Sequence, residues 1–109
     1  MPEPDEHFGL PPSIVEMIRG VFGRYAPLAE VRVYGSRAKG NYRPGSDIDL
    51  CIMNEHVSNA QLTQIENALD ELPTLYSIDL SRFRQIDNPA LTEHILRVGK
   101  IFYSANHSG

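Results

Sequence analysis

One cysteine, Cys51, among 109 residues excludes an intramolecular disulfide and any cysteine-based zinc site, and it fits a reducing, cytoplasmic setting. No apolar run approaches the roughly 18 residues that a membrane-spanning helix needs. The opening MPEPDEHFGL is acidic and proline-rich, unlike a secretion signal. Positive charge is in deficit: 10 Lys and Arg stand against 14 Asp and Glu, a formal net charge of −4. That balance argues against a protein that coats nucleic acid with its whole surface, though not against a local basic site. Repeats, low-complexity tracts and linkers are also absent. What remains is a chain of one-domain length, sufficient for a modest core without disulfides or a structural metal.

The elements follow from periodicity. Residues 1–10 read as a flexible leader. PPSIVEMIRGVFGRY carries Ile14, Ile18, Val21, Phe22 and Tyr25 near helical spacing, with Ser13 as the expected cap and Gly23 and Pro27 near its end. EVRVYG reads as a short strand broken by Gly35. DIDLCIM alternates carboxylate and aliphatic residues before running apolar, a second strand. SNAQLTQIENALDEL places Leu62, Ile65, Leu69 and Leu72 on one helical stripe, capped by Ser58 or Asn59 and stopped by Pro73. LYSIDLSRF is a third strand, with Tyr76, Ile78 and Leu80 on one face and Ser77, Asp79 and Ser81 on the other. NPALTEHILRVGK is a last helix, capped by Asn88, with Pro89 in its first turn and Gly99 at its end. IFY adds a short final strand, and residues 104–109 are a polar tail. The order α-β-(turn)-β-α-β-α predicts one α+β domain over residues 11–103, built as α/β layers: a small mixed sheet with helices on one face.

The chemistry concentrates in VYGSRAKGNYRPGSDIDL, residues 33–50. Strand side chains alternate, so Asp47 and Asp49 project to one side with Cα atoms about 6.6 Å apart, while Ile48, Leu50 and Ile52 face a core. Two such charges about 5 Å apart repel by roughly 3 kcal/mol at an effective dielectric near 20, which a divalent cation between them would relieve. Magnesium favours a few carboxylates together with phosphate oxygens and water. Asp79, between Ile78 and Leu80, leaves the core on the opposite face. Paired strands with aligned faces would therefore gather three carboxylates, the set that two-metal phosphoryl transfer requires. Upstream, Gly35 directly after a strand lets the backbone approach a phosphate. The N–H groups that follow and the Ser36 hydroxyl are candidate donors to its oxygens, and Arg37, Lys39 and Arg43 are candidate counter-charges. Tyr42 and Cys51 read as a loop tyrosine and a buried strand cysteine, and His56 and His94 as surface or helix-side histidines.

Gly35, Ser36, Asp47 and Asp49 match the G-S-x10-D-x-D signature of the DNA polymerase β-like nucleotidyltransferases, and Asp79 falls where that superfamily has its third acid. The chain resembles the minimal, MNT-type members of bacteria and archaea over roughly residues 13–103. The resemblance implies a nucleotidyltransferase fold, ATP as substrate, and two Mg2+ ions held by Asp47, Asp49 and Asp79. In that family such small proteins are often encoded beside a HEPN-domain ribonuclease toxin, which the nucleotidyltransferase, as antitoxin, silences by transferring AMP to a tyrosine. The resemblance thus implies a toxin-antitoxin pair and a hetero-oligomer.

After the third acid about 30 residues remain, with no sign of a second domain to hold an acceptor. A partner protein is therefore expected to supply one, either as the modified substrate or as a subunit that presents a small molecule or an RNA end. A third alternative is a non-catalytic antitoxin acting by contact, which the presence of all three acids disfavours. Neither a membrane nor extended nucleic acid is expected as a partner.

Overall fold

Alternation in the strands sets the architecture. In the computed structural model, which describes residues 7–43, 45–54 and 57–105, Val31–Tyr34 forms β1, Ile48–Ile52 β2, Ile78–Arg82 β3 and Lys100–Tyr103 β4. They make one sheet in the order β3-β2-β1-β4. β1 runs antiparallel to both β2 and β4, whereas β2 and β3 are parallel. The parallel pair needs a crossover, and the helix Asn59–Asp70 (α3) lies within it. The sheet is therefore mixed, and the fold is α+β, as the sequence predicts.

Val31, Val33, Ile48, Leu50 and Ile52 face one way and are essentially fully buried. Against them pack Val15, Ile18 and Phe22 of the helix Pro12–Tyr25 (α1) and Ile65 and Leu69 of α3. Full burial of one such aliphatic side chain contributes about 1.5–3 kcal/mol, so this layer is the main hydrophobic stabilisation. Ser58 caps α3 in a capping box: its side chain accepts from Gln61 N–H, and the Gln61 side chain accepts from Ser58 N–H.

Three details differ from the sequence expectations. α1 begins at Pro12, without a side-chain cap from Ser13, because proline at the first helical position already has the required φ and no N–H to satisfy. The last helix, Pro89–Val98 (α4), lies on the other side of the sheet, where Ile95 packs with Tyr34 and Cys51. Helices thus cover both faces, with α1 and α3 on one and α4 on the other. Of the expected leader, residues 1–6 lie outside the described residues, but Phe8 and Leu10 are buried in the main core. Pro44, His56 and residues 106–109 also lie outside the described residues. No helix among the described residues is long and apolar enough to cross a membrane.

Candidate active site

The second face of the sheet carries the polar chemistry. β1 and β2 place Tyr34 opposite Asp49, and β2 and β3 place Asp49 opposite Asp79. Tyr34, Asp49 and Asp79 therefore form one row across three strands, with Arg32, Cys51 and Ser81 in the next. This row is where alternation sends the carboxylates once Ile48, Leu50, Ile78 and Leu80 turn to the other side. Asp47, just before β2, is exposed, Asp49 is half-buried and Asp79 is exposed.

The carboxylates feel one another. Burial pushes the Asp49 carboxyl above its ordinary value of 3.8, the charges of Asp79 and then Asp47 push it further, and Arg37 pulls it back in part. Burial likewise raises the Tyr34 phenol; a hydrogen bond with the Ser81 side chain opposes the rise, and Asp49 and Asp79 add to it. Among the described residues, no group of three or more His, Cys, Asp or Glu side chains is gathered closely enough to form a ready metal cage. The donor set is nevertheless all carboxylate oxygen, and its mutual repulsion is what a cation would relieve. A hard ion that takes only one or two carboxylates and completes its shell with phosphate and water fits such a set.

The turn after β1 is built around Gly35, with φ 73° and ψ −152°, a region essentially restricted to glycine. A Cβ there would also lie 2.8 Å from Asp49 Oδ2. The short helix Ser36–Lys39 (α2) follows at once and ends at Gly40, whose φ of 86° is left-handed. The Gly35 turn and the carboxylate row are thus in direct contact.

Residues 16–108 match the family described as polymerase β nucleotidyltransferase. The chain belongs to that family. Its fold is also similar to solved structures. One is a toxin-antitoxin complex crystallised with AMP-PNP, at 18% identity and TM-score 0.59, covering 84% of this chain and 74% of that one. A second is the toxin-antitoxin MntA-HepT, at 16% identity and TM-score 0.54, covering 84% and 71%. A candidate minimal nucleotidyltransferase matches at 26% identity and TM-score 0.55, covering 81% and 88%. Among curated proteins, none matches the chain significantly.

Within this nucleotidyltransferase, the three expected basic residues separate. Lys39 and Arg43 are exposed beside the turn. Arg37, expected at the nucleotide, is instead 3% exposed. Its Nη1 donates to Phe8 O at 2.9 Å, while Nε and Nη2 both donate to Ser46 O, at 3.2 and 2.8 Å. The rings of Tyr42 and Tyr76 lie 5.2 and 5.3 Å from its guanidinium carbon. Arg37 therefore fastens the segment between Ser36 and Asp47, and its charge reaches the site only as a field on Asp49. Tyr42 is half-buried in the same clamp and packs over Gly9.

Two further residues belong to this face. Cys51 is buried, and burial pushes its thiol up to about 11. It should resist a thiol reagent in the native protein at pH 8 and react fully only after denaturation, as a colorimetric thiol count will show. His94, read from sequence as a surface or helix-side residue, reaches the turn: its Nε2 accepts from Gly35 N–H at 3.2 Å. The signal was present in the helical stripe, because His94 follows Leu91 by three positions and precedes Val98 by four, and both of these are partly buried. For the turn itself, Gly35→Ala is expected to cost about 1–3 kcal/mol from the backbone region alone. The measured consequence is a lower urea midpoint.

Proposed function

We propose that this nucleotidyltransferase transfers AMP from ATP, with magnesium, to a hydroxyl of a partner protein, a tyrosine of a HEPN-domain toxin, and so acts as the antitoxin of the pair. The contact of the Gly35 turn with Asp49, with Asp79 next to it in register, carries this reading: a phosphate-approach turn abuts a row of carboxylates. The toxin-antitoxin setting and the adenine nucleotide of the similar structures support the partner and the substrate. Asp79 is exposed and stands on an edge strand of the sheet, which supports a macromolecular acceptor approaching from solvent.

In this mechanism the Gly35 turn lets the backbone approach the β and γ phosphates and Ser36 holds them, with Lys39 and Arg43 as nearby counter-charges. Asp47, Asp49 and Asp79 would hold Mg2+, which when bound supplies charge neutralisation at the triphosphate and the attacking oxygen. The acceptor oxygen attacks the α-phosphorus. A P–O bond forms to it as the bond from the α-phosphorus to the α–β bridging oxygen breaks, and pyrophosphate leaves. Asp79 takes the hydroxyl proton as the new bond forms. Catalysis is then mostly positioning and electrostatics, as in phosphoryl transfers generally.

Incubation with Mg2+, ATP labelled on the adenine or α-phosphate, and the protein encoded alongside tests the proposal. Label on a tyrosine of that partner, lost with Asp47→Asn, is the expected result. Label on a small molecule or RNA end carried by the partner would reassign the acceptor. No label with any nucleoside triphosphate, with full neutralisation by the Asp47→Asn/Asp49→Asn double variant, would replace transfer with inhibition by contact.

A further inference from the structure

α4 touches the phosphate turn through one side chain. His94 is half-buried and directly precedes Ile95, the buried anchor of that helix. Its ring stands edge-on to Tyr34, with centroids 6.3 Å apart and planes at 80°, and its Nε2 accepts the Gly35 N–H at 3.2 Å. The Cα of the same glycine abuts Asp49, so closely that a Cβ would be 2.8 Å from Oδ2. Gly35 is therefore held on its amide side by an imidazole from α4 and on its Cα side by a carboxylate from β2.

That arrangement has a use. Gly35 occupies a backbone region (φ 73°, ψ −152°) that persists only where the surroundings over-determine it. Without Cβ, the residue has little of its own to keep its peptide in that plane. A hydrogen bond to the amide fixes the plane, and a packed imidazole makes the bond rigid. Tyr34 limits how the ring can turn, and Ile95 limits how α4 can shift. The same bond leaves Gly35 N–H engaged, so it is not free to rotate towards a phosphate. Accepting at Nε2 also specifies the tautomer with the proton on Nδ1.

We infer that His94 is a positioning residue for the nucleotide, holding the Gly35 peptide against Asp49 so that the turn meets the triphosphate already in its bound shape. This inference rests on the nucleotidyltransferase reading above, and its role is indirect: His94 acts through Gly35.

The test uses the full chain with His94→Leu, which fills a similar space but cannot accept, and His94→Gln, whose side-chain oxygen reaches about where Nε2 stands. Three quantities are read: the Kd for Mg–ATP, protection of the Gly35 amide from hydrogen exchange without nucleotide, and Tm. His94→Leu should weaken ATP binding about 5- to 10-fold, the effect of losing one ordering hydrogen bond, and expose the Gly35 amide while Tm moves by only a few degrees. Transfer assays should place the loss in KM rather than kcat, and His94→Gln should recover most of the affinity and the protection. Unchanged ATP affinity in His94→Leu, or His94→Gln no better than His94→Leu, would overturn the inference while leaving the nucleotide reading intact. An unprotected Gly35 amide in the wild-type protein would overturn it at the level of the bond. A wild-type protein that binds no nucleotide would remove both.

Discussion

Asp49→Asn is expected to abolish AMP transfer and, at neutral pH, to make the protein harder to melt. The loss of activity follows from removing a charge at the centre of the carboxylate row: if it holds an ion that supplies about 4 kcal/mol of stabilisation, transfer falls at least about 10³-fold. The gain in stability follows from the environment of Asp49. Burial and the charges of Asp79 and Asp47 raise its carboxyl above the ordinary 3.8, so the folded protein holds that proton more tightly than the unfolded chain. Stability therefore falls as pH climbs from 3.8 through the raised value, and an amide that cannot ionise escapes that fall. Thermal melts of the two proteins should converge as the pH is lowered below the ordinary carboxylate value and separate above it, with Asp49→Asn a few degrees higher by pH 7. A variant that melts lower than wild type at pH 7 would mean that the carboxylate is held by favourable partners instead.

Arg37→Ala is expected to have the largest effect on folding. The side chain is 3% exposed and makes three hydrogen bonds to two carbonyls, Phe8 O and Ser46 O. Removing it deprives both carbonyls of a charged donor and empties the space between Tyr42 and Tyr76. With charge-assisted bonds of about 1.5–3 kcal/mol each and incomplete additivity, the loss is about 3–5 kcal/mol, a large share of the roughly 5–15 kcal/mol available to a domain. Tm should drop on the order of 15–25 °C. Arg37→Lys should fall between, because an ammonium cannot place two donors on Ser46 O while reaching Phe8 O. Calorimetry on both variants decides the matter. Normal melting of Arg37→Ala combined with lost ATP binding would return the guanidinium to the nucleotide.

These two residues show what is legible in a sequence of this kind. The Gly35–Ser36 to Asp47–Asp49 spacing could be read because its parts are local: a glycine after a strand, and carboxylates alternating with aliphatics. Asp79 could be read because the alternation in β3 sends it away from Ile78 and Leu80. Arg37 could not, because its burial depends on Phe8, 29 positions earlier, and on how Ser46 folds back; in the sequence it is one basic residue among others in a turn. The side of the sheet taken by α4 was hidden for a related reason. An amphipathic helix declares that it has an apolar face but not which face of a sheet will receive it, and that choice depends on the polar row leaving room for Ile95 beside Tyr34 and Cys51. His94 falls between these cases: its place on the stripe was visible, its partner was not, since that partner is a backbone amide.

The clamp at Phe8 has a consequence for where this domain ends. A boundary drawn from the family match begins at residue 16, and one drawn from regular structure begins at Pro12. Either would cut away the carbonyl that receives Arg37 Nη1 and the Gly9 backbone that lies under Tyr42. The smallest unit that keeps the loop between Ser36 and Asp47 clamped therefore starts no later than Phe8. A few residues ahead of the first helix, with no chemistry of their own, act as the buckle of the loop between Ser36 and Asp47.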